Sequence, residues 1–379
     1  MLKQQRRPCQ RSAVIRLLFA LPGFHRIDRG AETALLSVAE ELARRSHEVT
    51  VAGGGQTRPD TSYGFVHVPV IPRERFERWP ALPFFRNETQ WEDASFAARL
   101  GSRVNIGSFD ATVTCAYPYT NWTLRRSGRG KRPAHFFVTQ NGDWPAVARN
   151  AEYRFFGCDG LVCTNPAYLQ RNQQRWNCAL IPNGINLDRF SPGSSARDLF
   201  NLPEDRPIIL MVSAFIDTKR VADGIRAVAR LKDAALVVAG DGPLRAEADA
   251  LADRLLPGRY HRLTLSAGEM PDLYRSANVF LHLSKWESFG NVYLEAAACG
   301  LPVVAHRSDL TQWILGDAPF LCDTEDEKEL TAVLEQALSA GSGAATTDLQ
   351  RYSWSAVAAD YERFFETIVA AYRQTRGTD

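Results

Sequence analysis

A chain of 379 residues with 45% hydrophobic and 23% charged content suits a globular protein with more than one core, which excludes a disordered polyelectrolyte and a small stapled domain. Its 45 basic and 43 acidic residues leave a net charge of +2, so there is no global pull toward nucleic acid and none is expected as a partner. Seven cysteines (9, 115, 158, 163, 178, 299 and 322) form no CxxC pair and read as reduced thiols of a cytoplasmic protein, and seven histidines form no HxH or HExxH pair, so no metal site is expected.

Residues 1–13 read as a basic disordered tail. Arg16 interrupts the apolar run behind them, which argues against a signal peptide, and nothing later has the length and purity of a membrane span. Residues 14–21 predict a first buried strand and 22–30 a loop; a helix from about Ala31 then carries Leu35, Val38, Ala39 and Leu42 at helical spacing. A strand at 48–52 completes a strand, helix, strand order that predicts a parallel, doubly wound α/β sheet. Further strands are expected at 64–71, 111–116, 135–140, 160–164 and 179–182.

The pattern breaks over Ile71 to Trp91. Arg73, Arg75, Arg78 and Arg86 are interleaved there with Phe76, Trp79, Phe84, Phe85 and Trp91. Basic residues among aromatics suit docking on anionic lipid, stacking on a sugar or binding nucleic acid, and the plainer reading is a surface excursion whose aromatics fold back on the domain. Asn183-Gly184 marks a turn, and 191–207, rich in Pro, Ser, Gly and charge, reads as a linker. A second alternation follows, with strands at 208–214, 235–239, 263–265, 279–283 and 302–305, helices at 221–231 and from Leu244, and a last helix carrying Val357, Tyr361, Phe364, Phe365, Ile368, Val369 and Tyr372 on one face.

The densest chemistry lies in LSKWESFGNVYLEAAACGLPVV, from Leu283 to Val304. A loop and a short helix starting near Gly290 or Asn291 join two buried strands, so orphan backbone N–H groups face the loop, a geometry suited to phosphate. Glu287 and Glu295 frame it as Glu-x7-Glu, and carboxylates beside a phosphate site are suited to neutral sugar hydroxyls. Lys219 follows the strand at 208–214, where ligands of open α/β sheets bind. Gly240-Asp241-Gly242-Pro243 is a turn signal after the next strand.

ESFGNVYLEAAACGLPVVA resembles the signature of the retaining two-domain GT-B enzymes of glycosyltransferase family 4. RGAETALLSVAEELARRSHEVTV resembles that family's opening, and Asn183 to Phe190 and GDGP match its later segments. The resemblance implies two Rossmann-like doubly wound domains facing a cleft: 14–185 holding the acceptor, 186–352 the nucleotide sugar, and 353–379 a helix crossing back to the first domain. It implies Glu287 on the transferred sugar, Glu295 on the ribose, Lys219 on the leaving diphosphate, and Gly242, Ser288, Phe289, Gly290 and Asn291 around the donor. The family's Gly-Arg, four residues, Lys reads Ser213, Ala214 and Lys219 here, with Arg220 as the adjacent substitute cation. Gly30, Glu32, Asn141 and Asp143 are the acceptor-side candidates.

The implied reaction moves a hexose from a nucleoside-diphosphate sugar to a sugar or lipid-linked acceptor, with retention and with no metal or other cofactor. A sugar-nucleotide epimerase of the same fold and a non-catalytic nucleotide-sugar binder are the alternatives. A nicotinamide oxidoreductase fits poorly, because Gly53-Gly54-Gly55 does not continue as GxGxxG into a helix.

Overall fold

The apolar runs become two separate parallel sheets in a computed structural model that describes residues 14–126, 132–148, 151–341 and 348–374. The expected basic tail, with Cys9, lies outside the described residues. The first sheet contains β1 (Arg16–Leu21), β2 (Glu48–Gly53), β3 (Gly64–His67), β4 (Ala111–Thr114), β5 (Ala134–Val138), β6 (Gly160–Cys163) and β7 (Cys178–Leu180), in the order β3-β2-β1-β4-β5-β6-β7. The second contains β8 (Ile208–Val212), β9 (Ala235–Ala239), β10 (Tyr260–Leu263), β11 (Val279–His282), β12 (Val303–His306) and β13 (Leu321–Cys322), in the order β10-β9-β8-β11-β12-β13. Every pairing in the second sheet is parallel. Helices cover both faces of such a sheet, which is why the strand at Ile208 reads as one apolar run and β8 and β11 bury almost all of their side chains.

The chain divides into two compact units. Unit 1 takes the chain through Cys163, Arg171–Ala179 and the residues from Ala358 on; unit 2 takes Thr164–Gln170 and Leu180–Val357. The division therefore differs from the 185/186 boundary expected from sequence. Thr164–Gln170 belongs with unit 2 because the Asn165 amide donates to the Ser288 carbonyl at 2.7 Å, and Ile185 joins the unit 2 core with its N–H on the Tyr352 carbonyl at 2.7 Å. The expected linker at 191–207 is also packed, since the Arg197 guanidinium donates to Ser276 O at 3.0 Å and Asn278 Oδ1 at 2.8 Å. In unit 1, Phe365 of the last helix (Trp354–Gln374) packs with its ring tilted 4.4 Å from that of Phe136 of β5, and Arg373 pairs with Asp110 at 2.8 Å.

Three local expectations are corrected. The strand expected at 64–71 stops at His67, because Pro69 has no N–H for a ladder. The strand expected at 263–265 is β10, three residues earlier in its start, a half-buried edge strand whose His261 and Arg262 break the apolar pattern. The helix Glu88–Arg103 went unread because Gln90, Glu92 and Asp93 lie on its buried face; Asn87 caps it by accepting from the Gln90 N–H at 3.1 Å.

The segment from Ile71 to Trp91 folds back on unit 1. Phe76, Trp79, Phe85 and Trp91 form one aromatic cluster, with Trp79 edge-on to Phe76 and Trp91 and with Phe85 stacked at 3.9 Å from Trp91 and 4.9 Å from Tyr119. Arg73 pairs with buried Glu92 at 2.7 Å and Arg86 with buried Glu152 at 2.7 Å. What stays outside is a tip, with Trp79 at 53% and Leu82 at 45% exposure beside exposed Arg75 and Arg78. No helix among the described residues is long and apolar enough to cross a membrane.

Candidate active site

The site in unit 2 is built where β8 and β11, hydrogen-bonded neighbours at the middle of the sheet, run out at their C-terminal ends. Beyond β8 the loop 213–219 lies directly on the 240–244 turn: Phe215 N–H donates to Asp241 O at 3.0 Å, and Leu244 N–H returns to Phe215 O at 3.0 Å. A Cβ on Gly242 would stand 2.6 Å from that Phe215 oxygen, so only glycine lets the two backbones approach this closely. Gly242 is thus a spacer that sets the loop carrying Lys219.

Beyond β11 the chain runs through Glu287 to Gly290, whose φ of 87° turns it into the helix Asn291–Ala298. The left-handed turn aims the first N–H groups of this helix back into the loop. Two segments pin that loop. The Ser288 carbonyl accepts from Asn165 and from the Thr164 hydroxyl at 3.4 Å, the Tyr168 hydroxyl meets Ser288 Oγ at 3.3 Å, and Asn183 donates to Asn291 Oδ1 at 2.9 Å. Phe289, expected at the donor, instead buries its ring in the core against Trp313 and Tyr352, at 2% exposure. Its contribution to the site is to anchor the turn.

Lys219 and Glu287, 68 residues apart in sequence, meet as an ion pair between Nζ and Oε1. The same Oε1 accepts from His282 Nε2 at 2.8 Å. Burial alone would push the Glu287 carboxyl up; the His282 hydrogen bond and the charges of His282 and Lys219 outweigh it and hold the group down at about 2. Glu287 is therefore a fixed anion with one oxygen engaged. Glu295, two turns into the helix, accepts from the Tyr274 hydroxyl at 2.7 Å; burial raises its pKa against that bond and the nearby charge of Arg189.

Arg220 behaves otherwise than expected. It sits at φ 54° ahead of the helix Val221–Ala229, and its guanidinium donates to Thr324 Oγ1 at 2.9 Å, Thr324 O at 3.0 Å, Leu283 O at 3.3 Å and Asp223 at 2.8 Å. In this structure its guanidinium is engaged in bracing the loops.

The acceptor-side candidates lie in unit 1 and do not form one cluster of hydrogen-bonded groups. Gly30 opens the helix Gly30–Arg44, and Glu32, 6% exposed, folds under it against Gly23, where an added Cβ would stand 2.1 Å from its Oε1. Burial raises the Glu32 pKa and its own N–H opposes that. Asp143 is consumed by Arg171 at 2.9 and 3.0 Å and Asn172 at 2.9 Å, a structural tie rather than an open ligand group. Asn141 is exposed and uses its carbonyl on the Trp144 indole at 3.1 Å. Sequence reading missed Tyr274, Asn165, Asn183 and His282; of these only His282 left a signal, as the sole polar residue of the strand Val279–His282.

Comparison with known proteins adds to this geometry. Residues 29–189 match the family described as Glycosyltransferase Family 4, and residues 195–352 the one described as Glycosyl transferases group 1. The chain is 29% identical over 245 residues to a lipopolysaccharide core biosynthesis glycosyltransferase of Rhizobium meliloti (strain 1021), covering 63% of this chain and 69% of the relative. It is 32% identical over 215 residues to the D-inositol 3-phosphate glycosyltransferase of Mycolicibacterium smegmatis, spanning 51% of this chain and about half (49%) of that relative's length. A glycosyltransferase structure from Rickettsia africae matches with a TM-score of 0.70 at 14% identity, over 94% of this chain and 99% of that one. An Anabaena protein solved with UDP and glucose matches with a TM-score of 0.63 at 16% identity, over 96% and 100%. At these identities the two structures speak for the fold.

Proposed function

This chain belongs to glycosyltransferase family 4 and has the GT-B fold, and from that premise we propose that it moves a hexose from a nucleoside-diphosphate sugar to an acceptor hydroxyl, with retention of anomeric configuration and without a metal ion. The observation that carries this reading is the Lys219–Glu287–His282 constellation at the N-terminal side of the helix Asn291–Ala298.

In the proposed reaction the bond between the sugar's C1 and the diphosphate oxygen breaks, and the diphosphate leaves with the electron pair. The new negative charge is met by the Lys219 ammonium and the helix N–H groups, which act where charge develops. The acceptor oxygen bonds to C1 on the face the diphosphate leaves, and its proton passes to a diphosphate oxygen, so no protein nucleophile is needed. Glu287, with Oε1 held by hydrogens from Lys219 and His282, turns Oε2 toward a hydroxyl of the transferred sugar; Glu295 receives the ribose hydroxyls.

The acceptor reading, a sugar or lipid-linked glycan, is supported by relatives named for lipopolysaccharide core and phosphatidylinositol monomannoside. Peripheral membrane contact belongs to the same proposal and rests on the exposed tip of Trp79 and Leu82 with Arg75 and Arg78.

A thermal-shift panel of nucleoside-diphosphate sugars tests the donor, because a ligand at about 100 times its Kd stabilises the protein by about 2.7 kcal/mol. The anomeric proton of the product, read by NMR, tests retention. Activity is expected to survive a chelator, and Glu295→Gln is expected to weaken nucleoside diphosphate and nucleotide sugar together. A protein that binds none of the panel, or needs a divalent cation for turnover, contradicts the reading.

A further inference from the structure

We propose that His282 is the positioning residue of the donor site: it fixes which oxygen of Glu287 faces the sugar and keeps Lys219 free to meet the diphosphate. The inference rests on the reading of the unit 2 site as a sugar-transfer site and deepens it.

His282 is 2% exposed at the end of β11, a place the surrounding Val279, Phe280 and Leu281 would lead one to fill with another aliphatic side chain. The ring is walled in. Phe280 lies nearly parallel to it at 6.1 Å, and Tyr293 meets it edge-on at 5.1 Å. Its Nε2 lies 2.8 Å from Glu287 Oε1, while Nδ1 is buried with no hydrogen-bond partner among the described residues. A buried unpaired ring nitrogen is costly, so this imidazole is not placed to satisfy the core. Its whole polar capacity goes to one carboxylate. A carboxylate can only accept, so Nε2 carries the proton and donates.

Without that donor, Glu287 would have Lys219 as its remaining polar partner in this cluster and would be free to swing onto the ammonium with both oxygens. Such a tighter pair competes with the diphosphate for Lys219 and turns Oε2 away from the sugar. A second donor on Oε1, supplied by a rigid ring locked between Phe280 and Tyr293, prevents both. The charged groups facing His282 are Glu287 from the loop after β11 and Lys219 beyond β8; the group from the helix Asn291–Ala298 is the Tyr293 ring.

The test compares His282→Gln, which offers an amide N–H near the Nε2 position, with His282→Met, which fills the volume and donates nothing. With the nucleotide sugar that turns over in wild type, His282→Met is expected to lose about tenfold to a hundredfold in kcat, the span of a hydrogen bond to a charged group. Nucleoside-diphosphate affinity is expected to fall as well, because Glu287 then competes for the Lys219 ammonium, and His282→Gln to recover most of both rate and affinity. Combining His282→Met with Glu287→Gln is expected to cost no more than Glu287→Gln alone, as for two members of one network. Wild-type kcat in His282→Met overturns the proposal, and so does an equal loss in both variants accompanied by an equal fall in Tm, which would make the ring simple packing. If wild type itself releases nucleoside diphosphate from no nucleotide sugar, the transfer reading fails and this proposal falls with it; an active wild type beside an unimpaired His282→Met sinks this proposal alone.

Discussion

Two buried carboxylates, one in each unit, are handled in opposite ways. In unit 2, Glu287 is held ionised by an ammonium and an imidazole that share a single oxygen, so the charge is stable and half of the group remains available. In unit 1, Asp93 is fully enclosed at the start of the helix Tyr119–Arg125, where it accepts from the N–H groups of Tyr119 at 2.8 Å and Thr120 at 3.3 Å and from the Thr120 hydroxyl, with no ion pair to a cation among the described residues. Burial wins there and raises its pKa to about 6. The same side-chain chemistry thus stays ionised at one position and holds its proton more tightly at the other, and the deciding factor is whether a cation accompanies the carboxylate out of water.

The largest expected effect follows from pH. Asp93 binds its proton more tightly in the folded state than in the unfolded chain, at about 6 against 3.8, so its contribution is most favourable below pH 4 and declines as pH rises through 6, by about 3 kcal/mol. Glu287 runs the other way: at about 2 against 4.5, its contribution is present above pH 4.5 and is lost as pH falls through 2, again by about 3 kcal/mol. Scanning calorimetry across this range is expected to lose the first slope in Asp93→Asn and the second in Glu287→Gln. A variant that keeps the wild-type profile breaks the contrast on its side.

Next comes Lys219→Ala, expected to reduce turnover about tenfold to a hundredfold through about 1.5 to 3 kcal/mol of lost charge-assisted bonding. Its neighbour sharpens the point: Arg220→Ala should lower Tm, because four bracing contacts go, while donor affinity per folded molecule holds. Equal losses of donor affinity in the two variants would return Arg220 to the binding site.

Asp143→Ala tests the unit 1 side. Removing a carboxylate bonded to a half-exposed Arg171 and to Asn172 is expected to cost about 1 to 2 kcal/mol of stability and to leave acceptor KM unchanged. A raised KM without a stability change would make Asp143 a ligand group after all. The smallest effect is at the tip of 75–82, where each Arg is worth about 1 kcal/mol at an anionic surface. Flotation with anionic vesicles at low salt, comparing wild type with Arg75→Ser/Arg78→Ser, is expected to show weaker binding in the variant; no flotation of either leaves the tip a plain packed loop.

The parallel sheets were legible because strands covered on both faces write long apolar runs, and the central helix because Gly290 and the Glu-x7-Glu spacing are local features. The places of Lys219 beyond a strand end and of Glu287 and Glu295 around that helix were legible for the same reason. The opaque parts depend on contacts between distant stretches. That Arg220 bonds to Thr324, 104 residues later, leaves no trace in the sequence around it. Asp143 looks free until Arg171 and Asn172 arrive, and Phe289 looks like a loop residue until Trp313 covers it. The helix Glu88–Arg103 hid because its buried face carries carboxylates whose partners, Arg26, Arg73 and Thr120, lie elsewhere in the chain.

The interleaving of the units also orders their completion during synthesis. The chain passes from one unit to the other at 163/164, 170/171, 179/180 and 357/358. A ribosome that has released residues through Val357 has therefore delivered every residue of unit 2, while unit 1, begun first, still lacks the helical stretch that covers Phe136 and supplies Arg373 to Asp110. The usual N-terminal-first order of domain folding is inverted at the last step: the half made earliest waits for the final turns of helix, and a nascent chain stalled or truncated short of Ala358 carries a complete second unit beside a first one with its β5 aromatic face uncovered.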